Sequence, residues 1–433
     1  MTHISRRSFL KAVGAGSALG LFGLSGCGKN GRSGSRGKAR IVIIGGGPGG
    51  ATCAKYLKRF DAGLDVTLIE PSASYTTCFG SNWVLGGLGE MDDIVQTYDA
   101  LKTAYGVTIV QDSATAVDPA ARTVTLTGGE TLSYDRLVVS PGIDFRWETI
   151  EGLDASTTST IPHAWKAGEQ TRILRSQLEA MDDGGVFVMC APGNPFRCPP
   201  GPYERASLVA HYLKQHKPRS KVLILDAKDK FSKQGLFQAG WKALYGDMIE
   251  WVPGSQGGMV DRVDVNTRTA YSDGGLNAFK ADVLNFIPRQ KAGAIAHAAG
   301  LTNDEGWCPV NQETFESTIH PGIHVIGDAS IAGAMPKSGH SANSQGKIAA
   351  AAIVLGLQEQ PMITPSHVNT CYSLVGPDYG ISVAAVYHYT DGGIKGVQGA
   401  GGVSPADAGP QFRQQEADYA RGWYASITQD IWG

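Results

Sequence analysis

RIVIIGGGPGGATCAKYLKRFDAGLDVTLIE, residues 40–70, opens with an apolar run at 41–44, turns through Gly45, Gly47 and Gly50 into a helical pattern, and closes a second apolar run on an acid, Glu70. Strand, glycine turn, helix, strand and terminal acid in that order make one βαβ unit of the dinucleotide-binding kind. Each glycine has its own reason. Gly45 makes the tight turn, Gly47 lets the backbone approach a pyrophosphate, and Gly50 lets the helix pack on the strand. The phosphates would lie at the helix N-terminus, where unpaired N–H groups favour anions, with Glu70 taking the ribose hydroxyls. Among 57 glycines a bare GxGxxG carries little weight, and the ordered context is what gives it meaning.

Upstream, Ser5, Arg6, Arg7, Ser8, Phe9, Leu10 and Lys11 form a twin-arginine pattern ahead of a weakly apolar stretch at 12–24. Residues 1–37 therefore read as export signal and linker, and a periplasmic location is expected. The apolar core is too short and glycine-rich to span a bilayer stably. Twin-arginine signals resemble those of bacterial proteins exported already folded, often with a cofactor inserted beforehand. Leu24-Ser25-Gly26-Cys27 also resembles a lipobox, in which Cys27 would carry a lipid anchor. The alternative is cleavage nearby, leaving 28–38, rich in Gly, Ser, Lys and Arg, as a flexible tether.

The 433 residues, less the signal, suffice for two or three domains with sizeable cores. A net charge of −2 and only 18% charged residues offer no basic face for nucleic acid. Seven cysteines (Cys27, Cys53, Cys78, Cys190, Cys198, Cys308 and Cys371) form no CxxC pair and no Cys/His metal set, so no metal site is expected. In an oxidising compartment two distant cysteines can be joined.

Beyond Glu70, PSASYTTCFGSNWVLGG (71–87) places Cys78 shortly after the ribose acid, on a loop that in a two-nucleotide flavoprotein runs toward the isoalloxazine ring. Its thiol is either a covalent flavin ligand or a plain packed cysteine. Two alternating strands and an apolar return strand ending at Ser140-Pro141-Gly142 look like the β-meander of a FAD domain, with Ala116 near adenine. A second βαβ follows: helices over 171–181 and 201–215, strands over 185–190 and 221–225, the last ending on Asp226. Its turn, APGNPFRCPP (191–200), has prolines where a fingerprint has glycines. Prolines remove N–H donors and stiffen the backbone, so this unit is expected not to bind a nicotinamide nucleotide.

ADVLNFIP (281–288) and HPGIHVIGDAS (320–330) return the chain to the first unit, the latter finishing on Gly327-Asp328. Asp328 would bond the ribitol chain, and the helix after MPKSGH would aim its positive end at the flavin pyrimidine. Lys337 either adds charge there or is a solvated surface residue. Beyond 360, a strand-like 380–387 and an aromatic tail with Trp423, Tyr424 and Trp432 suggest a small interface domain. Such a tail is more often core packing than a ligand cage, although Trp423 could cover part of the flavin site. Cys53, Cys190 and Cys308 read as packed small hydrophobes, and His163, His324 and His340 have no metal or triad spacing, His340 alone lying beside the flavin helix.

With PFRCPPGPYERAS (195–207), HAWKAGEQT (163–171), TNDEGWCPV (302–310) and NTCYS (369–373), two flavin half-motifs bracketing a degenerate second unit closely resemble the flavoprotein subunit of flavocytochrome c sulfide dehydrogenase, over essentially all of the chain after the signal. The resemblance implies an α/β fold of two nested Rossmann-like domains, each a three-layer structure on a parallel sheet, plus a small C-terminal α+β interface domain. The expected boundaries are 38–150 with 290–360 for the FAD-binding domain, 151–289 for the second domain with its degenerate NAD site, and 361–433 for the interface domain. It implies FAD held covalently through Cys78, a redox-active disulfide between Cys198 and Cys371, and a separate c-type cytochrome subunit as electron acceptor, there being no CxxCH in this chain. The family loop more usually reads Tyr-Thr-Cys-Tyr, whereas Phe79 follows Cys78 here.

The implied chemistry is attack of hydrosulfide on the disulfide, giving a persulfide on one cysteine and a thiolate on the other, with sulfur leaving as polysulfide or elemental sulfur. Arg197 would lower the Cys198 pKa and draw HS⁻ inward. Alternatively the two cysteines form only a staple, or never meet. Two other functions compete: a sulfide:quinone oxidoreductase, disfavoured by a tail too charged for deep membrane insertion, and a non-catalytic flavin-binding partner protein, disfavoured by the presence of both cysteines.

Overall fold

The computed structural model describes residues 38–433, and the twin-arginine and lipobox motifs lie outside the described residues. Strand β1 (Arg40–Ile44) enters helix α1 (Pro48–Phe60) through the glycine turn, and β2 (Asp65–Ile69) delivers Glu70. A short helix α2 (Ser81–Gly86) follows the Cys78 loop, then β3 (Thr108–Val110), an antiparallel meander β4 (Ala114–Asp118), β5 (Thr123–Leu126) and β6 (Thr131–Ser133), and the return strand β7 (Arg136–Val139).

The second unit comprises α3 (Glu169–Ala180), β8 (Val186–Ala191), α4 (Gly201–His216), β9 (Lys221–Asp226), α5 (Gln234–Tyr245), β10 (Ile249–Val252) and β11 (Val283–Phe286). Its four strands are parallel in the order β10-β9-β8-β11. The chain then returns with β12 (Ile323–Val325) and α6 (Gly339–Leu357), completing a five-stranded parallel sheet ordered β12-β7-β1-β2-β3. Strands covered by helices on both faces are expected to be near-continuous apolar runs, and β1, β7 and β12 each carry a single polar residue, Arg40, Arg136 and His324. The expected α/β class, with two dinucleotide-type units and a C-terminal α+β unit, is the class observed.

That last unit is an antiparallel sheet of β13 (Ser366–Gly376), β14 (Tyr379–Thr390) and β15 (Gly393–Val403) followed by the long helix α7 (Pro410–Trp432). The aromatic tail is thus helical, and it docks on the first unit. Lys55 donates to the carbonyls of Gln429 (3.0 Å) and Gly433 (2.6 Å), and Trp432 Nε1 donates to the carbonyl of Gly46 (3.1 Å) while its ring stacks on Tyr75 at 5.1 Å. Lys347 on α6 pairs with Asp430 at 2.6 Å. No described helix is long and apolar enough to cross a membrane.

Candidate active site

One cavity of about 500 Å³, the size range of small-molecule and cofactor sites, lies where the three units meet. Its floor is the glycine turn. Gly45 has φ +99°, and a Cβ there would sit 2.3 Å from the Ser140 carbonyl oxygen. A Cβ on Gly50 would stand 1.9 Å from the Gly45 carbonyl oxygen, so helix and turn touch only because that position is bare. Gly45, Gly47 and Gly49 line the cavity and Gly50 does not, in keeping with a packing role. The α1 N-terminus has no side-chain cap, which leaves its first N–H groups to an anion. Glu70 is on the wall, its carboxylate accepting from the N–H groups of Gly46 (2.8 Å) and Ser72 (3.1 Å).

At the other end, Gly327 (φ +74°) turns the chain so that Asp328 faces inward. Arg197 approaches Asp328 Oδ2 at 3.8 Å, but Oδ1 is buried without a hydrogen-bond partner, and burial raises this carboxyl's pKa against Arg197 and Lys337. A buried, unmatched acceptor calls for a donor such as a ligand hydroxyl. Ser338 caps α6, its Oγ accepting from Ser341 N–H at 3.0 Å, and Gly339 and His340 join the wall. His340 Nδ1 accepts from Thr370 N–H (2.9 Å), and burial lowers its pKa, favouring the neutral ring. Cys78 and Trp423 also line the cavity. A bare glycine turn, an acid, an orphaned buried carboxylate and a helix N-terminus fit FAD, part for part.

Cys198 and Cys371 reach the same cavity. Cys198 sits at φ +56°, a left-handed conformation rare outside glycine, held by its N–H to the Lys337 carbonyl (2.7 Å). Cys371 lies in β13, its sulfur 3.5 Å from the Asn369 amide nitrogen. All six described cysteines are free thiols here, with Cys53, Cys190 and Cys308 buried as expected. Burial raises the pKa of both Cys198 and Cys371.

Three expectations change. The Arg197 guanidinium is engaged by Asp328 and by the Trp165 carbonyl, so its pull on Cys198 is outweighed by burial. Lys337 is off the main cavity wall: its ammonium donates to the carbonyls of Asp328 (2.6 Å) and Ser330 (3.0 Å) and lies 3.8 Å from the Trp307 ring, burial lowering its pKa to about 8. It braces the Asp328 turn instead. Ala116 is exposed on β4 and absent from the wall, the β4–β5 register shifting between Ala114 and Ala116.

Glu204, six residues beyond Cys198 on the first turn of α4, is a cavity residue that sequence reading missed. It accepts from Asn82 Nδ2 and Leu374 N–H, both at 2.9 Å, and burial raises its pKa. In the second unit, Asp226 occupies the strand-end position that Glu70 holds in the first. It is fully buried and engaged by Tyr203 OH (2.5 Å), Lys228 (2.6 Å) and Trp251 Nε1 (3.0 Å).

Fold and site together define a flavoprotein of the pyridine nucleotide-disulfide oxidoreductase type. Residues 39–177 match the family described as pyridine nucleotide-disulphide oxidoreductase, 171–288 the central part of the sulfide dehydrogenase [flavocytochrome c] flavoprotein chain, and 363–432 the flavin-binding part of flavocytochrome c sulphide dehydrogenase. The sulfide dehydrogenase flavoprotein chain of Chlorobaculum thiosulfatiphilum is 50% identical over 48 residues, 11% of this chain and 100% of that one. The chain belongs to the family of the flavocytochrome c sulfide dehydrogenase flavoprotein chain. The mouse mitochondrial sulfide:quinone oxidoreductase is 22% identical over 314 residues, 66% of this chain and 65% of that protein, so this chain spans about two thirds of the length of that relative. Among solved structures, the sulfide:quinone oxidoreductase of Aquifex aeolicus has a TM-score of 0.69 at 18% identity, covering 90% of this chain and 92% of that one. A NAD-dependent persulfide reductase from A. fulgidus has a TM-score of 0.61 at 18% identity, covering 90% and 77%. At these identities the likeness is one of fold.

Proposed function

We propose that this chain oxidises hydrosulfide through a Cys198–Cys371 disulfide beside FAD and passes the electrons to a separate c-type cytochrome subunit. The observation that carries the reading is the arrival of both cysteines, from α4's entrance and from β13, on the wall that also bears Glu70, Cys78 and Asp328. Hydrosulfide attacks one sulfur of the disulfide, forming a persulfide there, while the electron pair of the broken S–S bond leaves on the other cysteine as a thiolate. Glu204, beside the pair with a raised pKa, holds the proton released from the attacking HS⁻. FAD, when bound, supplies a two-electron acceptor that can release electrons singly. The pyrophosphate would lie over Gly45 and Gly47, the ribose on Glu70, the ribitol on Asp328, and a thioether at Cys78 would make attachment permanent.

The engagement of Asp226 by Tyr203, Lys228 and Trp251 supports a second unit without a nicotinamide nucleotide, and hence an outlet other than NAD(P). The two sulfide dehydrogenase family matches favour a cytochrome over a quinone as that outlet. The twin-arginine motif supports action in the periplasm.

Anaerobic sulfide titration of the purified flavoprotein should bleach the flavin, and c-type cytochrome rather than a soluble quinone should restore its colour. Mass analysis of the denatured chain should find flavin on the Cys78 peptide. Sulfide turnover left intact by Cys198→Ser would overturn the mechanism, and faster reoxidation by quinone would overturn the acceptor.

A further inference from the structure

Lys233 stands just ahead of α5, in the second unit, at φ +59°, another left-handed non-glycine position. Its side chain crosses into the C-terminal sheet and is almost entirely buried, at 8% exposure. The ammonium donates to the Cys371 carbonyl (3.1 Å), Ser373 Oγ (2.9 Å) and the Ile381 carbonyl (3.4 Å), and it lies 5.6 Å from the Phe237 ring. None of the salt bridges among the described residues includes it. A cation this buried is costly unless some negative charge compensates it.

Four groups that can carry such charge face it: Glu204 from α4, Glu416 from α7, Cys198 from the loop before α4, and Cys371 from β13. Glu416 already pairs with Arg413 (3.5 Å) and accepts from Ser382 Oγ and Ser404 Oγ. Glu204 accepts from Asn82 and Leu374. Among the thiols, Cys371 is the strongest electrostatic neighbour of Lys233, and it also has the Asn369 amide at its sulfur. No hydrogen bond to the Cys198 sulfur is found among the described residues. Burial lowers the Lys233 pKa to about 8 against these four groups, so near neutrality the ammonium is still mostly protonated.

We infer that Lys233 is a positioning residue that makes Cys371 the leaving thiolate of the disulfide, so that hydrosulfide adds to Cys198. The inference rests on the proposed sulfide chemistry and assigns its direction. The bond formed is Cys198 Sγ–S, the bond broken is Cys198 Sγ–Cys371 Sγ, and the electron pair goes to the Cys371 sulfur. Thiol–disulfide exchange runs faster toward the leaving group with the lower pKa, and Lys233 and Asn369 both act on Cys371 in that sense. The same charge then holds the thiolate in place on the cavity wall until it is reoxidised.

The test uses the flavin-loaded enzyme reduced anaerobically and treated with limiting iodoacetamide between pH 6 and pH 9, with peptide mass mapping of each cysteine. Cys371 should be alkylated about tenfold faster than Cys198 at neutral pH, the preference that one pKa unit of difference gives. Lys233→Gln should remove that preference and move the Cys371 titration upward, while Lys233→Arg keeps it. Faster labelling of Cys198 in the unsubstituted enzyme would overturn the inference, and this readout needs no variant to fold. So would a Lys233→Gln chain, with normal flavin content, that titrates like the parent. Non-reducing peptide mapping of the untreated enzyme separates the two levels: absence of the Cys198–Cys371 peptide refutes the sulfide reading, whereas its presence with reversed labelling refutes only the role of Lys233.

Discussion

Gly47→Ala and Gly50→Ala change neighbouring members of one glycine turn, and the structure gives them opposite consequences. At Gly50 the new methyl would lie 1.9 Å from the Gly45 carbonyl oxygen and 3.3 Å from Ile43 Cγ2. Side-chain carbons essentially never come closer than 3.0 Å, so α1 must retreat from the turn by about 1 Å. Gly45 cannot yield, because its own backbone is left-handed and lies tight against Ser140. Overpacking of this kind costs about 1–3 kcal/mol, against which alanine regains about 0.5–1 kcal/mol of helix propensity, leaving a net loss centred on about 1 kcal/mol and reaching about 2.5 kcal/mol at most. At Gly47 the methyl meets only the Tyr75 ring, at 3.4 Å, and φ is −70°, so strain is small. That methyl stands on the cavity floor, where a pyrophosphate must touch backbone. Denaturant unfolding and the flavin-to-protein ratio of each purified chain separate the effects. Gly50→Ala should lose stability, and Gly47→Ala should lose flavin at near-parental stability. Full flavin occupancy in Gly47→Ala, or an unchanged unfolding midpoint in Gly50→Ala, would refute this reading of the turn.

Asp226→Ala should destabilise the chain by about 3–5 kcal/mol in urea, because it leaves the Lys228 ammonium, with only 11% of its side chain exposed, buried without its partner. Glu204 gives a pH signature. Burial raises its folded pKa above the ordinary 4.5, so its contribution to stability is present below pH 4.5 and declines as pH rises through the folded value. Glu204→Gln should flatten the pH dependence of the unfolding midpoint in that window, and an unchanged slope would show that the carboxyl does not titrate there.

The parts of this molecule that local pattern dictates were legible in the sequence. Helices expected over 171–181 and 201–215 are observed at Glu169–Ala180 and Gly201–His216, because apolar periodicity and the flanking proline and glycine residues act within a few residues. The glycine turn was legible for the same reason. Lys233 and Glu204 were not, since their meaning depends on partners far away in sequence: the Cys371 carbonyl is 138 residues from Lys233, and the Leu374 N–H is 170 residues from Glu204. Nothing around KFSKQG or GPYERAS announces such a partner. Lys337 and Arg197 show the converse limit. A cation next to a functional residue in sequence suggests electrostatic help, but three-dimensional neighbours engage both elsewhere, with the Asp328 and Ser330 carbonyls holding Lys337 and Asp328 with Trp165 holding Arg197.

How the second cysteine finds the cavity follows from the strand that carries it. Asn369, Cys371 and Ser373 alternate along β13 and so point to one face. Each flanking residue is tied to a different unit. Asn369 Oδ1 accepts from Ser338 Oγ (2.5 Å) and Ser341 Oγ (3.2 Å) at the start of α6, and Ser373 Oγ accepts from Lys233. A slip of one residue would turn the thiol to the opposite face and strand all three polar groups, so the register is fixed from both sides. The buried polar contacts that join the C-terminal sheet to the two dinucleotide-type units are therefore the same contacts that aim Cys371 at the cavity it shares with Cys198. Docking of the sheet and assembly of the cysteine pair are one event.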